Sequence, residues 1–196
     1  MQILVLDNYD SFTYNLVHII RELGYGANMD VIRNDKISLE DVNHYDKILL
    51  SPGPGIPSEA GIMLDLIKRY GPTKSILGIC LGHQGIGEVY GADLYNMKHV
   101  LHGVGKRVKI LQTDDYIFYK VPEEFMVCRY HSWAVEGDTV NGQLVINSID
   151  DMGIVMGLSH TAYDVRGLQF HPESILTENG KQIIKNWLEF RREIMK

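Results

Sequence analysis

The stretch that decides the fold of this chain is Ser75-Ile76-Leu77-Gly78-Ile79-Cys80-Leu81-Gly82-His83-Gln84. It begins as a short apolar run, which is typical of a buried strand, and it continues into residues 84–90, which can form a helix. The Gly-x-Cys-x-Gly between them has the strand–turn–helix setting of a nucleophile elbow, with cysteine in place of serine. We therefore expect Cys80 at the tip of a sharp turn.

Cys80 admits two interpretations. Flanking glycines lack Cβ atoms and would let backbone and substrate approach a nucleophile closely, and a following helix N-terminus would favour the thiolate. Alternatively, Cys80 is a packing residue, because free cysteine is among the most buried residue types. This stretch alone leaves both interpretations open, and residues further along the chain must decide between them.

The composition indicates an ordinary globular protein, with 45% hydrophobic and 22% charged residues. A length of 196 residues predicts a single domain over 1–196. The net charge of −6 argues against nucleic acid or an anionic membrane as partner, and no membrane-spanning run or secretory signal is visible. Cys80 and Cys128 lack disulfide-framework or metal-ligand spacing, so a cytoplasmic location is the simplest expectation.

The first half of the chain alternates strand-like and helix-like segments. This order predicts an α/β fold with a mostly parallel sheet and helices on both faces. Sites in such sheets lie beyond the carboxyl ends of the strands, where Asp7, Ser51 and Cys80 fall. Strands are expected at residues 3–6, 29–32, 47–50 and 75–79, and helices at 12–23, 59–70 and 84–90.

From residue 92 onward the pattern changes to short strand-like runs separated by turns. We interpret these runs as antiparallel extensions of the same sheet, followed by an amphipathic helix over 178–194. The runs are 108–111, 126–129, 144–149, 154–158 and 165–170.

The segment His171-Pro172-Glu173 follows the last of these runs directly. Residues two apart in an extended segment point the same way, and Pro172 keeps the segment extended. Glu173 can then hold one ring nitrogen of His171 while the other takes a proton from Cys80. Taken alone, the segment favours a surface histidine and a helix-capping glutamate. Its combination with a Gly-x-Cys-x-Gly elbow on a parallel sheet favours the catalytic interpretation.

A third segment, Ser51-Pro52-Gly53-Pro54-Gly55, separates the third strand from the second helix. Glycines before a helix can cradle a phosphate, but the Lys-Ser/Thr pair of a P-loop is missing and two prolines remove N–H donors. An oxyanion hole suits this loop better. The backbone N–H groups of Gly53 and Leu81 could together hold the negative oxygen of a tetrahedral intermediate.

These three segments together resemble the class I (triad) glutamine amidotransferases. Within that family, residues 7–15, 129–132 and 171–177 resemble the glutaminase subunits of synthases that convert chorismate into anthranilate or 4-amino-4-deoxychorismate. The similarity extends over essentially the whole chain.

The resemblance implies a flavodoxin-like fold, with Cys80 as nucleophile, His171 as acid and base, and Glu173 as the residue that orients the histidine. It also implies oxyanion-binding backbone at Gly53 and Leu81. No cofactor and no metal are expected. The residues expected to contact L-glutamine are Gly53, Pro54, Gly55, Gln84, Ser132 and Trp133.

Three features depart from the family pattern, one of which is that Gly85 and Gly87 stand where helix-favouring alanines are common. Trp133 stands where leucine is usual, which a backbone role tolerates although the pocket wall can differ. The segment Leu101-His102-Gly103-Val104-Gly105-Lys106 departs from the usual His-Gly-Lys run, which leaves the geometry of that loop open. His99 and His102 are three apart, but no carboxylate or cysteine at ligand spacing supports a metal site.

The expected reaction needs a partner. Ammonia released from glutamine becomes protonated in bulk water and stops being a nucleophile, so it must be made beside an acceptor site. A chain of this size has no room for a second active site. The resemblance therefore implies a hetero-oligomer with a chorismate-binding synthase subunit, which makes anthranilate for tryptophan biosynthesis or, alternatively, 4-amino-4-deoxychorismate for folate. Two other possibilities are a stand-alone γ-glutamyl hydrolase and a binding or regulatory module whose triad is idle.

Overall fold

The computed structural model of this protein describes residues 1–97 and 104–191. Within these residues the chain forms eleven strands and four α-helices. The strands are β1 (Ile3–Asp7), β2 (Met29–Arg33), β3 (Lys47–Leu50), β4 (Ser75–Ile79), β5 (Leu94–Asn96), β6 (Val104–Ile110), β7 (Glu124–Arg129), β8 (Trp133–Val135), β9 (Leu144–Asp150), β10 (Val155–His160) and β11 (Val165–Leu168). The helices are α1 (Thr13–Glu22), α2 (Met63–Tyr70), α3 (Leu81–Val89) and α4 (Gly180–Glu189).

Nine of the described strands form one mixed sheet in the order β2-β1-β3-β4-β11-β10-β9-β6-β7. The first five strands in this order pair in parallel, and the pairs from β11 through β10, β9 and β6 to β7 are antiparallel. The fold is therefore the expected one, a mostly parallel sheet with an antiparallel extension.

Helices cover both faces of the parallel region, which explains why β1, β3 and β4 are nearly continuous apolar runs. Strand β1 alternates between the faces, since Ile3 and Val5 pack in one cluster and Leu4 and Leu6 in the other. Helices α1 and α4 contribute to the first cluster, and α2 and α3 to the second. None of the helices in the described ranges is both long and apolar enough to cross a bilayer.

Two helix boundaries differ from the sequence prediction. The predicted helix at 59–70 begins only at Met63, because Pro57–Glu59 forms a separate 3₁₀ turn and the N–H of Ile62 donates to the Asn34 carbonyl at 3.2 Å. The predicted helix at 84–90 begins three residues earlier, at Leu81. Cys80 is therefore the single residue between the end of β4 and the start of α3.

The second half contains the larger corrections. We expected all its strands to be antiparallel extensions, but β11 pairs in parallel with β4 and antiparallel with β10. Strands β5 and β8 were not predicted and form a separate two-stranded sheet. The last helix ends at Glu189, and residues 192–194 of its predicted range lie outside the described residues. The same holds for His99, His102 and residues 101–103 of the departing segment at 101–106.

Candidate active site

Three predicted segments meet at one edge of the sheet, where the parallel strands end. Leu168, at the end of β11, lies opposite Ile79, at the end of β4, and the N–H of Cys80 donates to the Leu168 carbonyl at 2.8 Å. The parallel direction of β11 brings the residues of the site together. Because β4 and β11 are parallel, the residues that follow them, Cys80 and His171, emerge on the same side.

Cys80 occupies a sharp and strained turn. Its φ of +51° and ψ of −99° lie in a region that residues with a side chain rarely adopt, and such strain is concentrated at functional sites. The turn is tight enough that a Cβ atom added to Gly78 would lie 2.4 Å from the carbonyl carbon of Gly82. Cys80 is 9% exposed and is the residue directly before α3, a position next to a helix N-terminus that favours a thiolate.

His171 and Glu173 form a buried pair. The Nδ1 atom of His171 lies 2.6 Å from Oε1 of Glu173, and neither side chain is more than 3% exposed. The other ring nitrogen, Nε2, is buried and has no hydrogen-bond partner of regular geometry among the described residues. Burial lowers the pKa of His171, but the influence of Cys80 and Glu173 outweighs burial and raises the pKa to about 10. The imidazole therefore favours its protonated form.

Aromatic rings enclose the His171 imidazole. The ring centroids of Phe12 and Tyr130 lie 5.6 Å and 5.1 Å from that of His171, both in edge-to-face orientation. Phe12 and Tyr130 also stack on one another at 5.2 Å. This packing holds the ring in one orientation and keeps water from its faces.

The sequence analysis missed Gln169, which the structure places beside the sulfur. Its Nε2 atom donates to Cys80 Sγ at 3.7 Å, and its Oε1 accepts from Gln84 Nε2 at 3.3 Å. Gln169 could have been predicted as a site residue, because Gln169 and His171 are two apart in an extended segment and so point to the same side.

The loop that begins at Ser51 is clamped by Asn8, a second residue to which the sequence analysis assigned no role. The backbone N–H of Asn8 donates to Ser51 Oγ at 2.9 Å, and its side-chain amide donates to the Ser51 carbonyl at 2.8 Å. A Cβ atom on Gly53 would lie 2.6 Å from Leu81 Cδ2 and 2.8 Å from the Asn8 carbonyl oxygen, so only glycine fits.

Gly53 and Leu81 are thus close neighbours. Neither backbone N–H donates a hydrogen bond within residues 1–97 and 104–191. Two free donors near a buried thiol are the arrangement that an oxyanion-binding site requires.

A cavity of about 170 Å³ opens onto Cys80. Four larger cavities, of about 190, 260, 380 and 420 Å³, contain neither Cys80 nor His171. The six residues expected to contact glutamine all line the smaller cavity. Its wall is formed by Gly53, Pro54, Gly55, Cys80, Gln84, Tyr130, His131, Ser132 and Trp133.

The far wall of this cavity is backbone from the small sheet. The Ser132 carbonyl accepts from Met97 N–H at 2.8 Å, and Trp133 pairs with Asn96 across β5 and β8. The Trp133 carbonyl accepts from Gln84 Nε2 at 2.9 Å. The unusual tryptophan is therefore held through its main chain, as the expected backbone role requires.

Cys128 lies elsewhere, as a fully buried residue of β7. Its backbone N–H donates to Thr177 Oγ1 at 3.0 Å, and its carbonyl accepts from the His171 N–H at 3.2 Å. This thiol belongs to the core, and its backbone supports the segment that carries His171.

Comparison with known proteins gives the same family as the resemblance. The family model described as glutamine amidotransferase class-I matches residues 4–190. An anthranilate synthase component 2 from Thermus thermophilus is 46% identical over 194 residues, covering 96% of this chain and 92% of the relative. An aminodeoxychorismate synthase component 2 from Escherichia coli is 41% identical over 188 residues, covering 95% and 98%. A bifunctional protein TrpGD from Thermotoga maritima is 42% identical, and this chain spans 32% of its length.

Among solved structures, a Thermoplasma acidophilum protein described as a subunit of GMP synthase superposes with a TM-score of 0.84 at 27% identity. The match covers 96% of this chain and 92% of that one. The mixed sheet and its flanking helices are thus shared with a solved structure over nearly their whole extent.

Proposed function

The chain belongs to the class-I glutamine amidotransferase family, and from that premise we propose which reaction it performs. It hydrolyses the side-chain amide of L-glutamine through a thioester on Cys80 and delivers the ammonia to a chorismate-binding synthase subunit. The observation that carries this proposal is the pair His171–Glu173. Glu173 occupies one ring nitrogen, and the other, beside the strained Cys80 turn, has no regular hydrogen-bond partner in the part of the chain that the structure describes.

The first half of the reaction forms the thioester. The Cys80 thiolate attacks the amide carbon of glutamine, so a C–S bond forms and the carbonyl oxygen becomes an oxyanion, which the N–H groups of Gly53 and Leu81 receive. When the oxyanion collapses, the C–N bond breaks and His171 gives its Nε2 proton to the departing nitrogen. Ammonia and a glutamyl thioester result.

The second half releases glutamate. Neutral His171 takes a proton from a water molecule, whose oxygen attacks the thioester carbon. The C–S bond then breaks, which restores the thiolate and the imidazolium. The raised pKa of His171, about 10, supports a resting state in which the imidazole is already protonated.

The names of the relatives support a synthase partner. The Thermus thermophilus relative is a component of anthranilate synthase, and the Escherichia coli relative is a component of aminodeoxychorismate synthase. We assign anthranilate as the product. We keep 4-amino-4-deoxychorismate as the alternative, because relatives of both kinds match with similar identity and coverage.

The test mixes this chain with each synthase subunit, chorismate and either glutamine or ammonium salt. Wild type should support one aminated product from both nitrogen sources, while Cys80→Ala should lose the glutamine-driven reaction and keep the ammonia-driven one. Cys128→Ala is the matched control and should keep both. Equal loss of both reactions in Cys80→Ala would contradict this division of labour, and full glutaminase activity without any partner would favour a stand-alone γ-glutamyl hydrolase.

A further inference from the structure

Behind the cavity wall lies a buried polar network that the proposed reaction does not use. Arg129, at the end of β7, is 1% exposed and forms an ion pair with Asp150, whose side chain is fully buried. His131, which is 5% exposed, contacts Arg129 and forms part of the cavity wall. Buried charges are costly unless they are paired, so their presence beside a binding cavity calls for an explanation.

The hydrogen-bond partners of His131 determine which of its ring nitrogens carries the proton. Arginine can only donate, and Arg129 Nε lies 3.2 Å from His131 Nε2, so Nε2 must accept and cannot carry a proton. The ring proton therefore sits on Nδ1, which lies 2.7 Å from the Trp133 carbonyl oxygen and donates to it. Burial and then the charge of Arg129 lower the pKa of His131 to about 3, which keeps the ring neutral.

Further hydrogen bonds connect the Trp133 carbonyl to the sulfur of Cys80. The Trp133 carbonyl also accepts from Gln84 Nε2 at 2.9 Å, and the second hydrogen of that amide points to Gln169 Oε1 at 3.3 Å. Gln169 Nε2 in turn donates to Cys80 Sγ at 3.7 Å. A continuous series of hydrogen bonds thus connects a buried ion pair to the Cys80 thiol through one carbonyl of the cavity wall.

We propose that Arg129 and His131 are positioning residues for the glutamine pocket. Arg129 selects the Nδ1–H tautomer of His131, and this tautomer holds the Trp133 carbonyl and the adjacent Ser132 backbone in the position that receives glutamine. The inference rests on the proposed function, because it takes the cavity beside Cys80 as the site of glutamine binding. Without Arg129, the ring could carry its proton on Nε2, and an unprotonated Nδ1 would face the carbonyl and repel it.

Two conservative variants of His131 separate the two halves of this role. In His131→Asn the side-chain amide reaches the position of Nδ1 and can still donate to Trp133, but it gives Arg129 no acceptor. In His131→Gln the amide reaches the position of Nε2 and can still accept from Arg129, but it removes one of the two donors to the Trp133 carbonyl and leaves Gln84 Nε2 as the other. If His131 had only a structural role, the KM for glutamine would follow the loss of stability, and the less stable of the two variants would have the higher KM.

The expected result is a difference in KM. In the complex with the synthase subunit, the KM for glutamine should stay within about threefold of wild type in His131→Asn and rise about tenfold in His131→Gln, since the loss of one buried hydrogen bond is worth about one factor of ten. The kcat at saturating glutamine and the ammonia-driven reaction should change little in either. Equal KM values in the two variants, or the reverse order, would overturn the proposal.

A spectroscopic measurement of the His131 tautomer needs no glutamine and no synthase subunit. Side-chain ¹⁵N NMR at neutral pH should show His131 as a single Nδ1–H tautomer, identified by the signal that disappears in His131→Asn. The double variant Arg129→Gln/Asp150→Asn removes both charges of the ion pair. The His131 signal should then show a mixture of the two tautomers. An Nε2–H tautomer in wild type would refute the inference, whereas failure of the wild-type complex to use glutamine would refute only the proposed function.

Discussion

The Nδ1 atom of His171 lies 2.6 Å from Oε1 of Glu173, two residues further along the same extended segment. The carboxylate therefore fixes both the tautomer and the orientation of the ring, and Nε2 is the nitrogen that remains available near Cys80. This pairing makes the role of Glu173 open to a direct test.

Replacing Glu173 with glutamine should sharply reduce glutamine hydrolysis. The substituted amide keeps the size of the side chain but loses the negative charge that stabilises the imidazolium. We expect kcat for glutamine to fall about 10²–10⁴-fold, the range typical of a lost acid–base contribution, while the ammonia-driven reaction is retained. Glu178→Gln, an exposed carboxylate in the same segment that accepts from Met126 N–H, is the matched control and should keep normal kcat. A Glu173→Gln enzyme with unchanged kcat would remove Glu173 from the mechanism.

The raised pKa of His171 predicts how stability depends on pH. The pKa is about 10 in the folded protein and near 6.5 for an unperturbed histidine. A group whose pKa is raised by folding stabilises the folded state fully below the unfolded pKa, and this contribution disappears as the pH rises through the folded pKa. The free energy of unfolding should therefore decrease from about pH 6.5 to pH 10, as measured by urea unfolding across that range. Cys80→Ala should flatten this decrease, because Cys80 raises the pKa of His171. An equally steep decrease in the variant would show that other groups cause it.

Gln169 should affect the reactivity of the thiol. Gln169→Leu removes the N–H that points at Cys80 Sγ and leaves Gln84 without one acceptor. We expect alkylation of Cys80 by iodoacetamide to slow about threefold to tenfold, the value of one ordinary hydrogen bond. Mass spectrometry of Cys80-containing peptides measures the rate. Gln143→Leu, at an exposed position, is the control and should alkylate as wild type does.

Gly53 should tolerate no side chain. In Gly53→Ala the new Cβ atom would meet Leu81 Cδ2 at 2.6 Å and the Asn8 carbonyl at 2.8 Å, so the loop must shift away from Leu81. We expect kcat for glutamine to fall about tenfold to a thousandfold through the displaced N–H, with the ammonia-driven reaction intact. Gly142→Ala, where nothing lies within 4 Å of the added Cβ, should have no effect. Normal kcat in Gly53→Ala would place the oxyanion elsewhere.

The parallel strands β1, β3 and β4 were predictable because each contains a nearly continuous apolar run bounded by turn residues. Predicted strand bounds at 47–50 and 75–79 agree with β3 and β4, and those at 3–6 and 29–32 differ by one residue. Strands β5 and β8 escaped because three residues are too few for a periodic pattern. The parallel direction of β11 could not be predicted from its own residues, because it depends on which neighbour the strand finds.

In the candidate site, the motif residues were predictable and their supports were not. Cys80, His171 and Glu173 stand in short segments whose spacing indicates their chemistry. Asn8 and Gln169 act on partners 43 and 89 residues away in the sequence, Ser51 and Cys80 respectively, and no local pattern encodes such contacts. The order Arg129, His131 and Trp133 is visible in the sequence, but the burial of the ion pair with Asp150 that gives this order a meaning is visible only in the structure.

The insertion of β11 beside β4 also has a consequence for protein synthesis. Cys80 and Gln169 are 89 residues apart, and at about 5–20 residues per second the ribosome takes roughly 5–20 s to go from one to the other. During that interval the nascent chain carries the thiol without His171, Glu173 or Gln169 to activate it. Under the proposed function, an unfinished chain therefore cannot cleave glutamine, and cleavage starts only after residues 169–173 have been made.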